Sequence, residues 1–259
     1  MIMPRVQVYS YGGVGGGTTA PAFSIIPWDA KPYRQAGVPC DGDVADGRVE
    51  DVRIGRDGTL LFAGRSDGGN TPFRCDLRNI SRLTPLGVID RYTTPYDMQS
   101  QAITNMLRLD PTSGQVVMGQ IQLVRLGENG SGNGNTLITM GVQTDARGFF
   151  YELQASACCI PFQKNLTVNG QTLQASGDGT ALLILSPDLQ RRITWTEFVV
   201  NGSVGEGGWP VDIDVRGDAV VLAMNTGTKM AIVNALKNTA TTLGPAAGYV
   251  LVFPTVTTA

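Results

Sequence analysis

The chain has 259 residues, of which 42% are hydrophobic and only 16% charged, with 33 glycines, no histidine and a formal net charge of −2. That charge balance excludes a surface built to track phosphates, so no nucleic-acid partner is expected. The missing histidine excludes Ser-His-Asp and Cys-His catalysis, and with no two cysteine pairs at metal-ligand spacing either, no zinc site is expected.

The first segment shows no charged start followed by an apolar run, and no stretch approaches the ~20 apolar residues of a membrane helix. No membrane insertion is expected. Low charge with abundant Gly, Thr and Asn points to an exported protein, extracellular or at the cell surface, whose leader precedes this numbering. From Arg5 to Gly17, RVQVYSYGGVGGG alternates like a strand and then stops in glycine.

Residues 11–47 read as an insertion or a degenerate repeat. Within them CDGDVADG sets Asp41, Asp43 and Asp46 among glycines, an oxygen-rich loop suited to Ca²⁺, although the spacing misses the EF-hand pattern and an Asx-turn loop fits as well. Trp28 in this stretch, and Trp209 further on, lie beside prolines and are candidates to stack on a sugar ring. Cys40 and Cys75 lie in polar loop sequence and form a candidate disulfide, whereas the adjacent Cys158 and Cys159 read as two thiols. Sequons at Asn79, Asn129, Asn165 and Asn201 are of a number that chance supplies in a Ser/Thr/Asn-rich chain.

Two hairpin modules then alternate. The first is EDVRIGRDGTLLFAG, Glu50 to Gly64, which returns as ITMGVQTDARGFFYEL from Ile138 and as VDIDVRGDAVVLAM from Val211. Each is an alternating strand, a turn carrying Asp and Gly, and an apolar strand. The second is NMLRLDPTSGQVVMGQIQLVRLG from Asn105, which returns as ALLILSPDLQRRITWTEFVVNG from Ala181. Together they predict an all-β chain of four-stranded antiparallel units, approximately 48–126, 135–200 and 211–253, arrayed as the blades of a β-propeller within one domain. A β-sandwich is the competing fold.

The third unit lacks its fourth strand: GYVLVFP, Gly248 to Pro254, matches a third strand and the chain then ends. Residues 5–10 look like an orphan fourth strand, so the leading strand is expected to complete the last blade, within one molecule or between copies. Three blades are few for a closed ring, which leaves open hidden blades, pooling of blades by two chains, or head-to-tail polymerisation. The glycine-rich stretches after the outer strands, such as GENGSGNGNT from Gly127, read as connections between blades and not as phosphate loops.

DVRIGRDGTLLFAGRSDGGNTPFR and LLILSPDLQRRITWTEFVVNG resemble the bacterial SBBP-type β-propeller repeat of secreted and cell-surface proteins, especially large hypothetical ones of planctomycete type. Asp57-Gly58, Gly64, Pro187-Asp188, Trp195 and Gly202 sit where that repeat has its own turn and strand residues. The resemblance covers about two thirds of the chain, with longer intervals between hairpins than the repeat has. It implies export and a binding or scaffolding role, and carries no catalytic residues.

What chemistry remains is that of carboxylates. Asp212 and Asp214 share one side of a strand, and a paired-carboxylate glycan-active enzyme would need such a pair. Asp51 holds the matching place in the first unit and Thr139 in the second, which favours a structural job. The expected function is thus a non-enzymatic propeller that binds a glycan or protein, or assembles with copies of itself into an oligomer or filament. A carboxylate-based glycoside hydrolase or lyase is the alternative.

Overall fold

In the computed structural model the residues described are 8–11, 21–25, 47–66, 75–76, 79–83, 103–122, 124–125, 134–156, 160, 166–168, 171–173, 179–197, 209–226 and 247–256. In chain order the strands are β1 (Val8–Tyr11), β2 (Pro21–Ile25), β3 (Gly47–Ile54), β4 (Leu60–Ser66), β5 (Cys75–Asp76), β6 (Asn79–Leu83) and β7 (Ile103–Leu109). There follow β8 (Val116–Gln122), β9 (Val124–Arg125), β10 (Gly134–Asn135), β11 (Leu137–Thr144), β12 (Phe150–Ser156) and β13 (Leu166–Val168). The last are β14 (Gln171–Leu173), β15 (Gly179–Leu185), β16 (Arg192–Glu197), β17 (Trp209–Arg216), β18 (Ala219–Thr226) and β19 (Ala247–Pro254). The described residues are all-β, as the period-2 patterning predicts.

Three larger antiparallel sheets carry the fold: β3-β4-β7-β8, β11-β12-β15-β16 and β17-β18-β19. Their inner hairpins share one irregularity. Opposite the second strand, the register skips Glu50 in β3, Met140 in β11 and Val211 in β17. A bulge at the same place in three hairpins sharpens the local twist in the same way each time. Counted from the bulge, Asp51 and Asp212 are equivalent to Gly141 and not to Thr139. The extra residue shifts the count by an amount that alternation alone does not reveal. A Cβ on Gly141 would come within 3.0 Å of an Asp212 carboxylate oxygen and 3.3 Å of the Ile213 amide nitrogen, so glycine there lets β17 approach β11.

The turns explain why the hairpins close where they do. Gly55 N–H donates to the Thr59 carbonyl at 2.8 Å and Gly58 N–H to that of Gly55, while Asp145 and Gly148 make the same two bonds in the second hairpin. Gly58 and Gly148 take φ of 83° and 86°, the left-handed region where a Cβ is penalised. Gly217-Asp218 turns the third hairpin in two residues.

The second sheet is the middle layer, and β12 is buried along its whole length. Successive side chains of a strand point to opposite faces, so its two faces serve two cores. Tyr151, Leu153, Leu182 and Ile184 meet Ile213, Val215, Val220, Leu222 and Met224 of the third sheet. Phe150, Ala181, Leu183 and Trp195 meet Leu61, Ala63 and Met106 of the first. In register terms Leu61 and Ala63, Tyr151 and Leu153, and Val221 and Ala223 are equivalent positions. Each sheet therefore lays the same face on the opposite face of the next. Burying each Leu- or Phe-sized side chain contributes roughly 1.5–3 kcal/mol before the entropy of ordering is counted.

The leading strand has a local partner. β1 pairs with β2, Val8 opposite Ile25, and among the described residues β19 pairs with β18 alone. Joining two nearby segments costs less loop-closure entropy than joining the two ends of the chain, which favours this local hairpin.

Candidate functional site

The charged groups that the structure gathers lie where the first strands of the three sheets meet. On β17, Ile213 and Val215 point into the core, which puts Asp212, Asp214 and Arg216 on the other face. Among the described residues β17 pairs only with β18, so its far edge offers the amides and carbonyls of Ile213 and Val215. Two arginines from the first sheet satisfy that edge. Arg53 Nη1 donates to the Ile213 carbonyl at 2.8 Å and its Nη2 to the Asp212 carboxylate. Arg56 repeats the pattern one step along, with Nε donating to the Val215 carbonyl at 2.9 Å and Nη2 to Asp214 Oδ1 at 2.8 Å. The same carboxylates accept the N–H groups of Ile213 and Val215, at 2.7 and 2.8 Å.

A guanidinium fork thus stands in for each peptide group of a neighbouring strand, which blunts an edge that would otherwise recruit one. β11 is treated alike: the Val142 N–H donates to Asp51 Oδ2 at 3.0 Å and the Thr144 N–H to Gln143 Oε1 at 2.9 Å. Asp51 in turn holds Arg53 Nε at 2.8 Å. Burial works to raise the Asp214 carboxyl, but the Arg56 hydrogen bond, the Val215 N–H and the Arg56 charge hold it below the usual aspartate range. Both candidate catalytic carboxylates are therefore committed to arginine, and Asp214 is held as an anion.

At the turn end, Arg108 of β7 ties the first sheet to two turns of the second. It donates to the Gly148 carbonyl at 2.8 Å and the Pro187 carbonyl at 3.0 Å, and lies 3.4 Å from an Asp57 carboxylate oxygen. Asp57 also accepts from the hydroxyls of Thr59 and Thr144, at 2.7 and 3.0 Å. Nearby, the Asp145 carboxylate caps its own turn through the Arg147 and Phe149 N–H groups, at 2.9 and 3.1 Å, and receives the Tyr151 hydroxyl at 3.3 Å. Burial, with the Asp145 charge adding to it, pushes the Tyr151 hydroxyl up to about 12, against the Val256 N–H that it accepts.

Between the first and second sheets runs a buried polar chain. Glu152 accepts from the Thr139 hydroxyl and, at 3.3 Å, from Gln122 Nε2. Gln122 also donates to Gln120 at 2.8 Å and accepts from Gln154 Nε2 at 2.6 Å, and Gln154 accepts the Trp195 indole N–H at 2.9 Å. All of these except Trp195 are 0% exposed. Burial raises the Glu152 carboxyl to about 7, although Thr139, Gln154 and Gln122 act to lower it.

Of the other candidate residues, Trp28, Asp41, Asp43, Asp46 and Cys40 lie outside the described residues, as do Cys158 and Cys159. Trp209 opens β17 and Cys75 opens β5, where only their backbones are described. Among the described residues no group of three or more His, Cys, Asp or Glu is poised to hold a metal ion, and no helix is long and apolar enough to cross a membrane. Sequence reading missed Arg53, Arg56 and Arg108. The spacing Asp212-x-Asp214 opposite Arg53-x-x-Arg56 is a recognisable pattern only once β3 and β17 are known to be neighbours. No protein-family model matches the chain, and neither does any curated protein.

Proposed function

We propose that the chain is a non-catalytic, propeller-like module of the extracellular or cell-surface kind, and that it works by association through its third sheet, with a second copy as the partner. The observation that carries this reading is the outer face of that sheet. Val250 and Val252 are 64% and 53% exposed, beside Val221, Ala219 and Ala223 on β18. The equivalent faces of the first and second sheets are each covered by the next sheet, so the third presents a face of the same design with no described cover. Among the described residues its edge strand β19 also lacks the fourth strand that the other two sheets have.

The receiving face that would suit a head-to-tail array buries Leu60, Phe62, Leu107 and Leu109 of the first sheet, at 1–7% exposed, but opens Val52 and Ile54 on β3, at 42% and 60%. The second copy meets the valines either with its own third sheet, as a closed pair, or with this face of its first sheet, as a head-to-tail array, and the sedimentation series tells the two apart. The arginine pairing of Asp212 and Asp214 weighs against the glycan-active alternative, which needs one carboxyl held protonated as the acid.

Sedimentation velocity over a concentration series tests this on the wild type and on Val250→Lys with Val252→Lys. A concentration-dependent dimer that the double variant loses, with its circular dichroism unchanged, supports the reading. A wild type that stays monomeric while retaining an added glycan or protein would move the role to ligand binding. New reducing ends from a polysaccharide, lost in Asp212→Asn, would overturn the non-catalytic reading.

A further inference from the structure

A fully buried carboxyl between two sheets is expensive as an anion unless a cation lies beside it. Glu152 has none. Its side chain meets Thr139 of β11, Gln122 of β8 and, through Gln122, Gln120 and Gln154, all of them neutral amides or hydroxyls. The charged groups whose side chains are described on the elements packed around it are engaged elsewhere. On the first sheet Asp51 holds the Val142 N–H and Arg53, Arg53 reaches β17, Arg65 pairs with Glu50 at 2.8 Å, and Arg108 with Asp57 holds the turns. On the second sheet Arg192 lies over the Trp195 ring, 4.6 Å from its centre.

The chain of amides runs from this carboxyl across the contact to Trp195, so the state of one proton is felt along the whole contact. Glu152 pairs Val142 and Leu183 within its own sheet and lies on the face packed against Leu61, Ala63 and Met106. We infer that Glu152 is a proton-held latch between the first and second sheets: protonated, it turns its O–H to the Thr139 hydroxyl oxygen while its other oxygen keeps the Gln122 bond, and on losing its proton it leaves an uncompensated charge between the sheets that loosens their contact. No ligand is required, and the proton leaves to solvent.

The sign follows from the geometry and agrees with the carboxyl being raised to about 7. A group that binds its proton more tightly folded than unfolded stabilises fully below its unfolded pKa, and that stabilisation is lost as pH rises through the folded one. The window therefore runs from about pH 4.5 to about pH 7, the interval in which an unfolded glutamate is ionised and this one is not.

The test uses the full chain, with the Trp195 indole resonance assigned through Trp195→Phe and glutamate carboxyls labelled with ¹³C. One carboxyl with a titration midpoint near 7, disappearing in Glu152→Gln, and an indole N–H shift following the same midpoint are expected. In thermal melts the wild type should lose stability across the window while Glu152→Gln stays flat. If Glu152→Gln does not fold, the wild-type carboxyl and indole titrations decide alone. A Glu152 carboxyl titrating in the ordinary glutamate range, or an indole signal unmoved while that carboxyl titrates near 7, would overturn the latch.

Discussion

Replacing Arg108 by Met keeps most of the side chain's apolar stem and deletes its charge and all its donors. The guanidinium is about one-tenth exposed and makes two hydrogen bonds to carbonyls, at 2.8 and 3.0 Å, beside the Asp57 carboxylate at 3.4 Å. Burial alone pulls the Arg108 pKa down, with Asp57 pulling it back, so the site holds a charge that it has partly desolvated. A hydrogen bond from a charged group contributes about 1.5–3 kcal/mol, and breaking a buried pair by removing one partner costs ~3–5 kcal/mol. Asp57 keeps its bonds to Thr59 and Thr144, which places the expected loss near the lower bound, ~3–4 kcal/mol. At roughly 2–4 °C per kcal/mol for a chain of this size, the melting temperature should fall by about 10 °C. Urea unfolding followed by tryptophan fluorescence measures the same quantity as a shift in midpoint at constant slope. A loss below ~1 kcal/mol, the level of an exposed pair, would show that Arg108 does not tie the two sheets together.

Three further outcomes are expected. Gly55→Ala should destabilise by about 1–3 kcal/mol, because its Cβ would collide with the Thr144 hydroxyl and the Asp57 carboxylate, whereas Gly58→Ala has open space and should cost only the left-handed backbone penalty of ~1–2 kcal/mol; paired denaturation curves compare them. Asp214 is held below the usual aspartate range, so its contribution is present above the unfolded pKa and is lost as pH falls through the folded one; Asp214→Asn should flatten the acid limb of a stability–pH profile. Ultraviolet titration should find one tyrosine ionising only at about pH 12, and Tyr151→Phe should remove it.

The hairpins were legible because their signals are local. Asp57-Gly58 and Gly148 mark positions where only a left-handed turn closes the loop, and alternation in EDVRIG and VDIDVR separates the core residues Ile213 and Val215 from the acids between them. The bulge was not legible. Glu50, Met140 and Val211 share no chemistry, since a bulge needs an extra residue and no special type. Missing it moved the count in the second unit from Gly141 to Thr139.

The β1–β2 pairing is hidden from the sequence for a different reason. Strand composition states that a segment will pair but not with what, and RVQVYSY suits the β2 edge as well as the β19 edge. The acids Asp212 and Asp214 were read correctly as sharing a face, yet the arginines that neutralise them come from 158 and 159 residues away, a separation no local pattern spans. Glu152 was hidden inside ITMGVQTDARGFFYEL because a lone glutamate in a strand usually marks its solvent side. Here the strand has none.

If the third sheet keeps an apolar face for a second copy, hydrogen–deuterium exchange against concentration detects it where the contact should form. Amides of β19 and β18 should exchange more slowly as concentration rises, with those of β4 and β12 unchanged. Identical exchange across residues 219–226 and 247–254 at every concentration would contradict it.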